Sequence, residues 1–180
     1  MALAGSANQE NLDRLASRKK EKDEHAYVIE DIKKSVQSWA KISIGDEEIV
    51  TLSSGLSHIK TPISLECQRN VSPDECIQSL HPTAALGQLP RDILPLNRLY
   101  KGNKKRGHFG APIGIRQNEQ TFHYWVNIRS LQIDKDGQAL LPVGGGLTVD
   151  SQLEEEWDEI LLKVSSTLSS LGLSLDEVSA

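Results

Sequence analysis

Residues 107–146, "GHFGAPIGIRQNEQTFHYWVNIRSLQIDKDGQALLPVGGG", constrain the fold of this chain more than any other stretch. Two runs rich in β-branched and aromatic residues, "GHFGAPIGIRQ" and "TFHYWVNIRSLQID", are separated by "NEQ", and "DKDGQ" closes the second. So short a connection joins antiparallel strands, because a parallel pair needs a crossover of about a dozen residues or more. "ALLPVGGGLTV" then supplies one more strand, running into a glycine turn.

Helical patterns flank this β-rich block. From 8 to 38, Leu12, Leu15, Tyr27, Val28, Ile32 and Val36 fall near helical spacing among many charges, which predicts one long helix or two in sequence. "VSPDECIQSLHP" carries a helix start: Ser72 as N-cap, Pro73 at the first helical position, Glu75 placed to complete a capping box, and His81-Pro82 as the stop. A helix is expected in "LPRDILPLNRLY", limited or kinked by Pro95. Residues 152–171 have the strongest helical pattern in the chain. "SIGDEEIVTLS" and "LSHIKTPISL" read equally as short strand or coil. The order of helices, strands and a last helix predicts an α+β fold with layered sheets, and 180 residues suit one domain with a real core.

A formal net charge of −5 and a pI near 5.5 argue against a general nucleic-acid binder, and the basic clusters "SRKKEK" and "KGNKKRG" are too short to reverse that. Cys67 and Cys76 make no metal-ligand pattern with each other or with His81, and they suggest reduced thiols in a cytosol. No apolar run approaches the ~18 residues of a membrane span. "MALAGSANQENLD" lacks the features of a signal peptide, so a cytoplasmic protein is expected.

The last helix holds the first candidate site. At about 100° per residue, Trp157, Ile160, Leu161, Val164, Leu168 and Leu171 form an apolar stripe, with Glu156, Glu159 and Lys163 along an adjacent edge. Carboxylates at i and i+3 can share a hard cation such as magnesium, which takes oxygen ligands. The plainer alternative is a solvated face, with Glu159 and Lys163 as an i,i+4 pair and the glutamates favoured by the helix dipole. The glycines Gly144, Gly145 and Gly146 lie just upstream. They either let backbone N–H groups approach an anion or form a flexible turn. Arg129, in the strand-like run "VNIRSL", is either a surface charge or an inward guanidinium for a bidentate carboxylate. His81 before proline reads as structural by default, and Glu24 as one more exposed helix charge.

Taken in order, "ALAGS", "EKDEHAYVIEDI", "LHPTAALGQLPRD", "GHFGAPIGI", "VNIRS", the glycine triplet and "EEEWDEILLK" resemble the chorismate-utilising enzymes, most closely the isochorismate synthases. The likeness runs through residues 1–173, is weakest from about 40 to 66, and leaves 174–180 as a tail. "LHPT" carries the subgroup, since the anthranilate and aminodeoxychorismate synthases usually have a "GTVTGAPK"-like stretch there. The resemblance implies orthogonally packed antiparallel β-sheets covered by helices.

It also implies a site, residue by residue. Glu24, Glu156 and Glu159 would surround Mg2+, Glu156 either directly or through water. Arg129, Lys163 and the amides of Gly144, Gly145 and Gly146 would hold the carboxylates of chorismate. Gly5 and Ser6 would touch substrate, with His81 beside the ring. Phe109 stands where relatives often have tyrosine, which removes a hydroxyl able to hydrogen-bond substrate. Ala84 replaces the usual proline, and Gln88 interrupts a glycine pair.

The implied activity is a magnesium-assisted conversion of chorismate to isochorismate, serving menaquinone, siderophore or salicylate biosynthesis. In the family the lysine that activates water and the glutamate of an "SPE" segment lie upstream of "ALAGS", where this sequence begins. The expectation is therefore the C-terminal portion of an isochorismate synthase, inactive alone and paired with a separate N-terminal fragment if the enzyme is split. A salicylate synthase fragment, and a non-catalytic module that holds magnesium or chorismate, are the alternatives.

Overall fold

The computed structural model describes residues 2–7, 19–52, 56–91, 106–118 and 120–177. Among the described residues, nine strands and three helices follow in order: β1 (Ala2–Ala7), α1 (Lys19–Val36), β2 (Ala40–Ile44), β3 (Glu48–Thr51), β4 (Ser57–Thr61), β5 (Ile63–Cys67), α2 (Pro73–Leu80), β6 (Pro112–Arg116), β7 (Phe122–Val126), β8 (Gln132–Ile133), β9 (Ala139–Leu140) and α3 (Leu153–Ser170). A 3-10 turn at Leu175–Glu177 follows the last helix. The strands form four small antiparallel sheets, β1-β4-β3, β2-β5, β6-β7 and β8-β9. The α+β expectation holds.

The core gathers on α1. Val28 and Ile32, one turn apart, pack with Ile42 and Ile63 of the β2-β5 pair and with Leu80 of α2. Val36, Trp39 and Ala40 extend the cluster toward Leu65, Val71 and Cys76. Such a stripe at i, i+4 and i+8 is what turns a charge-rich helix into a buried one. The expected start of this helical region, at 8–18, lies outside the described residues, as does the helix expected in "ILPLNRLY".

The region whose sequence left strand and coil equally open is β2 to β5. Its middle strand, β4, is buried along almost its whole length although it reads "SHIKT". Strands buried on both faces usually announce themselves as apolar runs. Here polar side chains meet polar partners instead: Thr61 Oγ1 lies 2.7 Å from His25 Nε2, and Ser57 Oγ lies 2.8 Å from Thr51 Oγ1. β1, which the sequence did not reveal as a strand, pairs with β4. Its register slips by one residue between Ala4 and Ala7, so Gly5 and Ser6 fall in a β-bulge.

α2 starts as expected, with the Ser72 hydroxyl accepting from the Glu75 N–H at 3.2 Å. The return half of the capping box is not made. The Glu75 carboxylate instead pairs with Arg69, whose guanidinium is a stronger partner than a neutral N–H. β6 and β7 pair in register from Pro112↔Val126 to Arg116↔Phe122. Gly114 is obligatory there: a Cβ would lie 2.2 Å from the His123 carbonyl oxygen and 2.5 Å from the Tyr124 ring.

The last helix corrects the amphipathic expectation. Of its apolar stripe only Leu168 is buried, while Trp157, Leu161 and Leu171 are exposed. The residues turned inward are Glu156, Ser166, Thr167 and Leu168. The helix packs on β1. β1 also carries α1 on it, so one strand holds both helices that bear the candidate metal residues.

Candidate functional site

Glu24 projects from the first half of α1, and Glu156 and Glu159 from the first two turns of α3. Lys20, one turn before Glu24 on α1, ties the helices together. Its ammonium donates to Glu156 Oε1 across 136 residues of sequence and lies 3.6 Å from Glu24 Oε1. Glu156 is only 6% exposed. The solvated-face reading therefore fails for Glu156: this carboxylate belongs to an interior polar cluster.

The electrostatics bind the group into one site. Burial pushes the Glu24 carboxyl above its usual range, Lys20 pulls it back, and Glu159 and Glu156 push it up again. For Lys20, burial works against the charge, but the Glu156 hydrogen bond and the charges of Glu24, Glu156 and Glu159 prevail and raise it. Arg129 is lowered by burial and partly restored by the charge of Glu159, so it belongs to the same neighbourhood.

Arg129 does not sit in a strand as expected. β7 ends at Val126, and Arg129 adopts a left-handed backbone with φ of 54°. A non-glycine residue there costs on the order of 1–3 kcal/mol, and such residues concentrate at functional sites. The bend carries the guanidinium off the line of the β6-β7 ribbon toward α3.

The glycine triplet closes the site from another side. Lys163 Nζ donates to the Gly144 carbonyl at 3.3 Å and pairs with Glu159 at 2.6 Å. A Cβ on Gly145 would sit 3.5 Å from Glu156 Oε2, and one on Gly144 3.8 Å from the Phe109 ring. None of the three glycines has positive φ. Their use here is close approach to a carboxylate and an aromatic ring rather than a left-handed turn.

His81 caps the C-terminus of α2, and its imidazole is lowered by burial and then by Arg91. Among the described residues no hydrogen bond or ion pair links it to the carboxylates. Its loop is fastened to α1 by Asp31, which receives Arg91 Nε at 2.6 Å, Arg91 Nη2 at 2.7 Å and the Ala84 N–H at 3.1 Å. Gly5 and Ser6 lie in the β1 bulge, on the strand that carries both helices.

The donor chemistry suits a hard cation. Glu24 Oε1 and Glu156 Oε2 are buried without a hydrogen-bond partner, and carboxylate oxygens of this kind are what magnesium takes. Among the described residues no three His, Cys, Asp or Glu side chains converge closely enough to hold an ion as they stand. Sequence reasoning missed Lys20, whose pairing across 136 residues leaves no local signal.

Comparison with known proteins gives a consistent picture. A family model described as "Chorismate binding enzyme" matches residues 1–172. The salicylate biosynthesis isochorismate synthase of Pseudomonas aeruginosa is 32% identical over 88% of this chain and 34% of its own length. Isochorismate synthase MenF of Bacillus subtilis is 30% identical over 76% of this chain and 29% of its own. A solved structure from Bacillus anthracis, described as a 2,3-dihydroxybenzoate-specific isochorismate synthase, superposes with a TM-score of 0.79 at 22% identity. That match covers 96% of this chain and 48% of the other, and it carries the fold. The chain thus spans about a third of the length of these curated relatives.

Proposed function

The chain belongs to the chorismate-binding enzyme family, and from that premise we propose that it forms the magnesium- and carboxylate-holding part of an isochorismate synthase. The observation that supports this best is the meeting of Glu24 and Glu156, from helices far apart in sequence, around one ammonium, with Lys163 anchored on Gly144 beside them.

In this reading Glu24, Glu156 and Glu159 hold Mg2+. Held there, Mg2+ would supply Lewis-acid charge to orient and screen a substrate carboxylate. Arg129 offers a planar fork for a second carboxylate, and Lys163 a point charge whose stem is fixed by Glu159 and Gly144. Gly144, Gly145 and Gly146 leave room for the substrate's edge, since the space a side chain would need is open at Gly146 and lined by Phe109 and Glu156 at the others. Phe109 gives an apolar contact where a tyrosine would also donate a hydrogen bond. Gly5 and Ser6 come near substrate from the β1 bulge, and His81 borders the ring from the loop held by Asp31 and Arg91.

In this reading the general base and general acid implied by the family resemblance are supplied from outside the segment. Each such group typically contributes ~10²–10⁴-fold in rate, so the chain alone should bind chorismate without converting it. Calorimetry of the purified chain tests the reading. Chorismate binding should require Mg2+ and be lost in Glu156→Ala. Metal-independent binding, or isochorismate formed by the chain alone, would contradict it.

A further inference from the structure

We propose that the Lys20 ammonium is a built-in counter-ion for the buried carboxylates, and that a divalent cation binding there must displace it. The inference rests on the reading of Glu24, Glu156 and Glu159 as holders of the metal.

Lys20 occupies an unusual place for a lysine. Lysines almost never bury their charge unless it is paired, and this side chain is 14% exposed. Its pairing is divided between two helices, Glu24 on its own and Glu156 on α3. Lys163 is already engaged by Glu159 at 2.6 Å, which leaves Lys20 as the positive charge between Glu24 and Glu156. Without it, two poorly hydrated carboxylates would repel each other and the contact between α1 and α3 would loosen.

The ammonium satisfies the cluster only in part. It hydrogen-bonds Glu156 Oε1, while Glu156 Oε2 and Glu24 Oε1 remain buried without a hydrogen-bond partner. Magnesium gathers oxygens at about 2.0–2.1 Å and would use those atoms. A cation among them would lie within a few ångströms of Nζ, where like charges in a partly dehydrated site repel strongly. The absence, among the described residues, of three ready-converged ligands fits this arrangement, because the ammonium stands where the carboxylates would otherwise close. Lys20 lies in the first turn of α1, and its four-carbon stem can turn the charge outward to water. It therefore sets the affinity for the metal and keeps the two helices together before the metal arrives.

The test uses the whole chain with Mg2+ alone. In calorimetry, Lys20→Met should bind Mg2+ about tenfold more tightly than the wild type, an order of magnitude set by removing one nearby like charge. Lys20→Arg, which keeps the charge, should bind no more tightly than the wild type. Thermal unfolding without metal should occur at a lower temperature in Lys20→Met, with a larger rise on adding Mg2+. A second measurement needs no variant: amine acylation followed by peptide mass spectrometry should find Lys20 slow to react without metal and faster at saturating Mg2+. Equal or weaker Mg2+ binding by Lys20→Met, or unchanged labelling in wild type that binds Mg2+, overturns the displacement. Failure of both wild type and Lys20→Met to bind Mg2+ removes the metal reading itself, and this inference with it.

Discussion

Removing either partner of the Asp31–Arg91 pair should have unequal costs, because only one of the two charges is buried. The Asp31 side chain is 3% exposed and Arg91 37% exposed. Arg91→Ala leaves a carboxylate in the interior with, among the described residues, the Ala84 N–H to meet it, and breaking a buried pair in this sense costs about 3–5 kcal/mol. Asp31→Ala leaves a guanidinium that turns to water and one unbonded Ala84 N–H, a loss of about 1–3 kcal/mol. The double variant lacks the stranded carboxylate, so it should resemble Asp31→Ala rather than the sum of the two. Urea denaturation with a constant m-value measures all three. A second readout isolates the site: Arg91 helps to lower the His81 imidazole, so Arg91→Ala should raise its titration midpoint in NMR. Equal losses for the single variants, or strict additivity in the double, would refute the reasoning.

The other predictions concern acid and the β-ribbon. Burial and Arg91 hold His81 below the ordinary imidazole value, so the neutral form is favoured by the fold. The stability it contributes is fully present above the unfolded value of about 6.5 and is lost as pH falls through the folded one. His81→Asn should therefore lose less stability than wild type between pH 7.5 and 5 in chemical denaturation. His25, also lowered by burial, acts in the same direction in both proteins and cancels in the difference. Gly114→Ala places a methyl against the β7 backbone and should cost about 1–3 kcal/mol or more in thermal unfolding, since the ribbon has to open to admit it.

The elements legible in the sequence were those whose signals are local. Ser72-Pro73 placed the start of α2, the short "NEQ" connection placed the β6-β7 ribbon, and helical spacing placed α3. β4 was left open between strand and coil because its burial depends on partners: "SHIKT" is acceptable inside because His25 and Thr51 meet its polar side chains. Helical periodicity also misjudged which side of α3 faces inward, since the Glu156 carboxylate, paired with Lys20 of α1, takes an inward place that most of the apolar stripe does not. In the site, the i,i+3 glutamates and Lys163 were readable from spacing, whereas Glu24 stood out only through the family resemblance. Lys20 had neither signal. A lysine in a charge-rich first turn looks like any other until the fold sets a carboxylate from residue 156 beside it.

The outward turn of the last helix also has an optical consequence. Trp157 is 58% exposed and adjacent in sequence to the buried Glu156, whereas Trp39 is sealed in the core at 3%. Indole emission depends on contact with water, so the two rings should emit at different wavelengths. Trp125 is equally exposed at 58%, so a Trp125→Phe background isolates Trp157 as the red-shifted emitter. There, changes around Glu156 should register in the red-shifted part of the spectrum, while the emission of Trp39 serves as an internal standard for the intact fold.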